Sequence, residues 1–511
     1  ARLAGRAAFQ RFAIREAIAC NEQARRLAHG TAAFSLADWQ ALCLVLGRCY
    51  ELDARYREAL ETYAWLETQA LEQKNPHAEL AADVKIARLR CMPGPEHDAV
   101  HGRAAAERGL SLARRLDDLA AEARLNWVLL ILSVWEDRPE AGVDYGERAL
   151  QLARRLGLRE LTAYTLQDIH RAYRAVGRNA EGNQALEEAR RLWRELDNLP
   201  MLADNLNSSA DAAMMEGDPV RALALGQEAA ALSLSIGNLW NQAFGTAVQA
   251  DAWSILGVVD ASRQAAQHSN HLAAQAGLLV LRRRTSSNQV MLALRLGDFK
   301  TAQAILQQMI AAEQTDPLLR QPIYRFVNRQ LAAVAAAFAG DLWRTEALMA
   351  EVRALLPLIP SGNQAHVVQL HILVRLLRGS FEQALDGASV SPDLERSFNQ
   401  NWKGWMIGMT GVVQEQMQQW AAAWASYQAA LDIFEPMGNR NLLWKLNAAL
   451  ARLAHPTGRT EQAAEYAARA NALVLEVAAT MADAQQVAAF QAYADPILRA
   501  EAPLGPPFCF L

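Results

Sequence analysis

The sequence has few of the residues that mark disulfide-bonded, nucleic-acid-binding or membrane-spanning proteins. Its 511 residues include five cysteines, an odd number without a Cys-x-x-Cys pair, so we expect no disulfide framework and a reducing, cytoplasmic setting. Only five of the 51 basic residues are lysine, and a net charge of −4 excludes a broad basic field for nucleic acid. The longest apolar run, Trp127–Trp135, is too short to cross a bilayer.

What is abundant is apolar sequence, at 52% of the residues, which excludes a disordered chain. The chain does not begin with Met, and Ala1 lies inside a stretch with helical character. We therefore expect it to be the C-terminal part of a longer protein.

An internal repeat of 40 residues organises the sequence. The segments Glu107–Leu116 and Glu147–Leu156 agree at most positions. The same interval separates helix-breaking residues in two series, which are Gly177, Gly217, Gly257 and Gly297, and Gly157, Asp197, Gly237 and Gly277. Each period therefore contains two breakers about 20 residues apart.

The stretches between breakers have the apolar spacing of helices. In Leu186–Leu196 the apolar residues fall on one helix face. Glycine closes a helix in the left-handed conformation, and Asp218, Asp298, Asp341 and Ser380 follow as predicted N-caps. The predicted unit is a helix hairpin that must stack on its neighbours to bury its apolar faces.

Twelve such hairpins fit the chain. We predict their turns near Phe12, Ala54, His97, Asp137, Gly177, Gly217, Gly257, Gly297, Gly340, Gly379, Gln418 and Gly458. The predicted fold is an all-α, right-handed solenoid over residues 1–497, followed by an irregular tail over residues 498–511.

One repeat resembles a tetratricopeptide (TPR) repeat. It has Gly47 where the two helices cross, Tyr50 three residues later, then Ala59 and Tyr63 on the second helix. Small residues recur at the position of Ala59, namely Ala17, Ala222, Ala302, Ala423 and Ala463. HEAT-like repeats are the alternative. The 40-residue period resembles the TPR arm of MalT-like transcription regulators and of bacterial STAND-class and AAA-type signalling ATPases. This resemblance implies a nucleotide-binding module N-terminal to the chain.

Motifs for catalysis are lacking. The sequence contains no Walker A motif, no G-x-S-x-G and no HExxH. We predict no enzyme activity and no cofactor. Cys91, His97 and His101 are the best candidates for metal ligands, but no fourth ligand is evident and we predict no metal site. Arg282–Arg284 is interpreted as a solvated helix start, with an anion or acidic partner as the alternative.

The first helix of each hairpin lines the concave side of a TPR superhelix, and counting back from each turn places polar and aromatic residues there. The predicted site residues are Trp127, Tyr164, Gln167, Arg171, Arg174, Asp204, Asn207, Asp211, Phe244, Asp251, Arg284 and Ser287. Trp402 and Trp405 are further candidates for this face. One interpretation is a solvated wall with neutralising Arg–Asp pairs. The other is a pocket for a small molecule or peptide.

The predicted function is that of a non-catalytic sensor arm of a larger bacterial signalling protein, binding a peptide, protein or small-molecule effector on its concave face. No direct contact with nucleic acid or a membrane is expected. The alternative is a scaffold that docks a partner chain, for which the tail Phe508–Leu511 is itself a candidate ligand. An enclosed pocket favours the sensor, and an occupied open groove favours the scaffold.

Overall fold

The computed structural model describes residues 2–11, 13–28, 34–92, 96–316, 318–359, 364–388 and 400–500. Within these ranges every regular element is helical, with 25 α-helices and two short 3₁₀ helices at Leu318–Arg320 and Leu356–Leu358. The chain divides into two compact units, unit 1 over residues 1–192 and unit 2 over residues 193–511. The division falls inside the tenth helix.

The helices are numbered in chain order. Those that begin in unit 1 are α1 (Arg2–Gln10), α2 (Ile14–Ala28), α3 (Leu36–Leu52), α4 (Tyr56–Glu72), α5 (Pro76–Cys91), α6 (Ala99–Arg115), α7 (Leu119–Trp135), α8 (Pro139–Arg155), α9 (Arg159–Ala175) and α10 (Asn179–Glu195).

The first helices of unit 2 are α11 (Leu199–Glu216), α12 (Pro219–Ser235), α13 (Leu239–Ile255), α14 (Val259–Gln275), α15 (Leu279–Arg295), α16 (Phe299–Thr315), α17 (Pro322–Phe338), α18 (Leu342–Leu355), α19 (Gln364–Leu377) and α20 (Phe381–Ala388). The C-terminal helices are α21 (Gln400–Gln416), α22 (Trp420–Met437), α23 (Arg440–Leu453), α24 (Thr460–Ala478) and α25 (Ala484–Leu498).

The predicted turns coincide with backbone in the left-handed region. Positive φ angles occur at ten of them, which are Ala54, Asp137, Gly177, Gly217, Gly257, Gly297, Gly340, Gly379, Gln418 and Gly458. Gly157, Asp197, Gly237 and Gly277, between hairpins, share this conformation. Near His97 the structure differs, because α5 ends at Cys91 and the Asp98 side chain caps α6. The predicted turn at Phe12 lies outside the described residues.

Side-chain caps explain where several helices begin. The Asp218 carboxylate accepts the N–H of Arg221 at 2.9 Å, and Asp298 and Asp341 cap their helices in the same way. Each cap satisfies an amide that has no partner inside the helix. These three predicted N-caps are confirmed.

Consecutive helices pack against one another, and the first helix of a hairpin also contacts the first helix of the next. This holds for α5, α7 and α9 in unit 1, and for α11, α13, α15, α17 and α19 in unit 2. Small residues permit the close crossings, since Ala59, Ala222, Ala302 and Ala423 are fully buried. The predicted all-α solenoid of stacked hairpins is confirmed. Its handedness and its extent as one domain over residues 1–497 stay predictions, and most of the predicted tail, residues 501–511, lies outside the described residues.

Unit 2 has one feature that nearest-neighbour stacking does not provide. Its C-terminal helices return to the turns of much earlier hairpins. The Asn441 side chain donates to the Ser254 carbonyl at 2.7 Å, and the Thr480 hydroxyl donates to the Gly257 carbonyl at 3.1 Å. The Tyr493 ring lies directly against Gly297. Unit 2 therefore closes on itself through contacts between residues 187 to 223 positions apart.

Two further properties concern the environment of the chain. Among the described helices, none combines the length and the apolar content needed to cross a bilayer. Cys20, Cys43, Cys49 and Cys91 form no disulfide.

Candidate functional site

The predicted site residues divide between the two units. Helices α7 and α9 of unit 1 carry Trp127, Tyr164, Gln167, Arg171 and Arg174. Helices α11, α13 and α15 of unit 2 carry Asp204, Asn207, Asp211, Phe244, Asp251, Arg284 and Ser287.

In unit 1 the structure brings Trp127 and Tyr164 together, with ring centroids 5.5 Å apart. The Trp127 indole N–H donates to Asp168 at 2.8 Å. Burial raises the pKa of Asp168, and the positive charge of Arg171 opposes that rise. The repeat register did not select Asp168, although its spacing of four residues from Tyr164 places both on one face of α9.

The other predicted residues of unit 1 have different surroundings. Arg171 is exposed. Gln167 is buried, and Arg174 donates to the Asn183 side chain of the second helix of its own hairpin at 2.6 Å. Gln167 and Arg174 therefore contribute to packing within unit 1.

In unit 2 Arg284 joins two carboxylates from two earlier hairpins. Its Nη2 atom lies 2.7 Å from Asp211 and 2.9 Å from Asp251. Its guanidinium carbon lies 4.9 Å from the centre of the Phe244 ring, at cation–π distance. Asn288 donates a further hydrogen bond to Asp251. These contacts are Arg–Asp pairs, but their charges are largely buried and not solvated as the first interpretation had it.

Electrostatics favour keeping Arg284 charged. The two carboxylates outweigh the cost of burial and raise the pKa of Arg284. Burial raises the pKa of Asp251, and the nearby charge of Arg284 opposes this effect. The bridge therefore fixes three helices, α11, α13 and α15, in one arrangement.

Two predicted residues of α11 do not join this bridge. Asn207 is buried between helices, where its amide nitrogen donates to the Asn241 carbonyl at 3.1 Å. Asp204 is half-buried on the same helix. Asn207 was predicted to face a groove, but a polar side chain with a partner on the first helix of the next hairpin can equally well be buried.

Beside the Arg284 bridge lies a cavity of about 280 Å³. Residues from five helices surround it, and they are Ser287, Asn288, Met291, Arg295, Val327, Gln330, Leu331, Gln369, Asn401, Trp402, Trp405 and Leu442. Its volume is close to the lower limit of roughly 300 Å³ for small-molecule sites, so it suits a compact metabolite better than a peptide.

The cavity wall combines aromatic rings with polar groups. Trp402 and Trp405 meet edge to face, with centroids 5.3 Å apart. The Ser287 hydroxyl oxygen is buried and makes no hydrogen bond to the described residues. Burial lowers the pKa of Arg295 to about 10, against the attraction of Asp251, and its guanidinium donates to Ser254 at 3.2 Å. Rings of this kind stack on a ligand while a few polar groups orient it.

Part of this cavity wall was predicted from the sequence. Ser287 was a predicted site residue, and Trp402 and Trp405 were candidates for the inner face. Asn288, Arg295, Gln330 and Gln369 were missed. A register counted from the turns gives the inward positions of one helix at a time, but it does not show that distant C-terminal helices complete the wall.

The other candidate sites have fewer features of a binding site. A depression of about 580 Å³ lies over α12 to α14 and is lined by Gln227, Gln242, Gln249, Trp253 and His268 among others, without a charged side chain. Among the described residues no three His, Cys, Asp or Glu side chains come together to hold a metal ion. Cys91 is buried, whereas His101 is exposed and pairs with Asp98 at 2.7 Å.

Comparisons with known proteins assign no family. No family model matches the chain, and no curated protein matches it. A solved structure described as a circular tandem repeat protein with novel repeat topology and enhanced subunit contact surfaces aligns with 98% of this chain and 97% of its own. The identity is 14% and the TM-score 0.15, so the two backbones do not superpose as a whole.

Proposed function

We propose that the chain is a non-catalytic binding protein whose unit 2 cavity holds a small polar molecule. The observation that carries this proposal is the partly open cavity beside the Arg284 bridge, whose wall contains the Trp402–Trp405 pair and a buried Ser287 oxygen with no hydrogen-bond partner among the described residues. A buried hydroxyl without a partner costs free energy, and a ligand that hydrogen-bonds to it recovers that cost.

The position of the cavity suggests how binding could be transmitted. Its wall combines α15 and α17 with α21 and α23, which belong to the part of unit 2 that returns to earlier turns. A ligand that contacts both groups of helices stabilises their closed arrangement relative to any open one. This coupling supports a sensor role over that of a passive scaffold.

We further propose that the chain works in the bacterial cytoplasm as the ligand-sensing arm of a larger signalling protein. Support comes from the 40-residue TPR-like period and its resemblance to MalT-like and STAND-class arms. That proposal includes an N-terminal nucleotide-binding module as the partner that receives the signal. Sequencing the reading frame upstream of Ala1 tests it directly, because the module must carry a Walker A motif.

The cavity is tested with the purified chain. Sugars, amino acids and nucleotides are screened by thermal shift, and each hit is titrated by calorimetry. Met291→Trp fills the cavity and should abolish binding of a hit. Ser287→Ala should weaken it about fivefold or more through the lost hydrogen bond. Ser286→Ala, at the neighbouring position outside the wall, is the matched control and should bind normally.

Three outcomes separate the hypotheses. Equal binding by Met291→Trp and the unchanged protein would contradict the cavity as the site. Loss of binding in Arg171→Ala instead would place the site in unit 1. Binding of peptides with no small-molecule hit would favour the docking scaffold.

A further inference from the structure

Unit 1 has a row of positively charged side chains that play no part in the function proposed for the unit 2 cavity. Arg48, Arg88 and Arg171 occupy the same position, the thirteenth, in helices α3, α5 and α9. Lys85 lies one turn before Arg88, and Arg124 lies on α7, which packs against both α5 and α9. Because the first helices of successive hairpins are neighbours, these five side chains belong to one face.

The Glu51 carboxylate forms ion pairs with two of these five side chains. Glu51 lies 2.6 Å from Arg48 and also accepts from Arg88, and its other oxygen accepts from the Tyr63 hydroxyl at 2.8 Å. Burial opposes ionisation of Glu51, but the attraction of Arg88 outweighs it and the pKa of Glu51 is lowered. Glu51 is therefore an anion that already accepts three hydrogen bonds.

Among the residues that the structure describes, Lys85 has no such partner. Among the described residues it makes no hydrogen bond and no ion pair, although its side chain is half-buried. Burial and then repulsion by Arg88, Arg48 and Arg124 lower its pKa, and Glu51 supplies the opposing attraction. Holding a lysine among three arginines costs free energy unless an anion is present to bind them.

The charge balance of this face is positive. Arg48, Lys85, Arg88, Arg124 and Arg171 give +5. Glu51, Asp168 and Glu160, whose charge acts on the adjoining Tyr164, give −3, which leaves +2. The Asp168 carboxylate accepts the Trp127 indole N–H.

We propose that the face between Lys85, Arg124 and the Arg48–Arg88 pair binds a small phosphate-bearing anion. Three observations carry the inference: the shared helix position of Arg48, Arg88 and Arg171, the Glu51 carboxylate that already holds two arginines and a tyrosine hydroxyl, and the Lys85 ammonium without a hydrogen bond or ion pair among the described residues. Guanidinium groups match the oxygens of a phosphate, and a doubly charged group balances the excess of +2, whereas one carboxylate does not. The Trp127–Tyr164 pair adjoins the face and offers an aromatic surface to a nucleoside if the phosphate carries one.

The test is calorimetric titration of the whole chain with pyrophosphate, ATP and sulfate at low and high salt. Pyrophosphate should bind, and binding should weaken as salt screens the charges. Lys85→Gln and Arg124→Gln should each weaken it about tenfold, the usual scale for a lost charge-assisted hydrogen bond. Arg115→Gln, an exposed arginine on α6, is the matched control and should bind as the unchanged protein does.

The source of the phosphate is distinguished in the same experiment. Equal affinity for ATP and pyrophosphate indicates recognition of the phosphate alone, and tighter binding of ATP that Tyr164→Leu removes indicates a nucleotide. No binding at about 10 mM pyrophosphate, or equal binding by all variants, overturns the proposal. Because Ser287→Ala lies in unit 2 and should not alter this binding, failure here is distinguishable from failure of the cavity.

Discussion

The Tyr63 hydroxyl donates a hydrogen bond to the carboxylate of Glu51 at 2.8 Å, and an equivalent bond of 2.7 Å joins Tyr427 to Glu415. In both repeats an arginine 37 residues beyond the glutamate completes the network, Arg88 in unit 1 and Arg452 in unit 2. A glycine under each tyrosine ring, Gly47 or Gly411, leaves room for it. The two repeats thus preserve one buried polar arrangement.

This arrangement predicts equal effects for equivalent substitutions. Tyr63→Phe and Tyr427→Phe should each lower the free energy of unfolding by about 1–2 kcal/mol, because a buried carboxylate loses one donor while its arginine remains. Urea unfolding of each variant measures the loss. Tyr56→Phe, at an exposed position, should have no effect, and equal stability of all three variants would show that the hydroxyls contribute nothing.

We expect substitution of Arg284 to lower the free energy of unfolding by an amount that depends on pH. Arg284→Met leaves Asp211 and Asp251 without the cation that bridges them, which should cost about 2–4 kcal/mol at pH 7. The pKa of Asp251 is already raised by burial, and a carboxyl with a raised folded-state pKa loses stability as the pH rises above its unfolded value. The loss should therefore be smaller near pH 4 than at pH 7.

Thermal unfolding across this pH range measures the effect. Arg282→Met, an exposed neighbour on the same helix, is the control. A loss that is the same at both pH values would contradict an electrostatic role for the bridge.

Gly297 and Gly277 form a matched pair for testing the return of the C-terminal helices. Both have positive φ, 73° and 68°, so an alanine at either position should cost about 1 kcal/mol of backbone strain. A Cβ at Gly297 would also lie 2.3 Å from the Tyr493 ring, whereas at Gly277 it would meet nothing within 4 Å. Gly297→Ala should therefore cost about 2–4 kcal/mol in total.

Denaturant unfolding of both variants checks this difference. Equal losses for Gly297→Ala and Gly277→Ala would mean that Tyr493 does not rest on the turn in solution.

Because His170 is buried, we expect the stability of unit 1 to decrease in acid. Burial, together with the charges of Arg171 and Arg174, lowers its pKa to about 3, while the Gln167 carbonyl at its Nδ1 atom acts in the opposite direction. A histidine with a depressed folded-state pKa is neutral in the fold, and its unfolded form takes up a proton below about pH 6.5. Stability should fall as the pH drops from 6.5 towards 3.

His170→Leu removes that contribution. The variant should lose less stability than the unchanged protein between pH 7 and pH 5, as measured by the shift in Tm. Parallel curves for the two proteins would contradict the buried neutral state of His170.

The turns could be predicted from sequence because their chemistry is local. A left-handed residue favours glycine or a short polar side chain, and the next position favours a cap, so Gly217 and Asp218 mark a turn without any tertiary information. The same reasoning placed Ser287 on an inner face, and the structure puts it in the cavity wall.

The partners of the site residues could not be predicted in this way. Arg284 reaches Asp251 and Asp211, which are 33 and 73 residues earlier, and a repeat pattern does not state which charges meet across hairpins. Thr480 and Tyr493 belong to no repeat position that points to Gly257 or Gly297. Geometry between repeats, rather than within them, sets these contacts.

The return of the C-terminal helices has a consequence for how unit 2 gains its stability. In an open array, end repeats can unfold or be deleted while the middle repeats stay folded, because each repeat contacts only its neighbours. Here the bonds of Thr480 and Asn441 tie the last hairpins to the turn at Gly257 and to Ser254, so removing the last hairpins would expose the surface of that much earlier turn. We therefore expect unit 2 to unfold in a single step. Its number of repeats is constrained, because the last hairpins must reach the turn at Gly257.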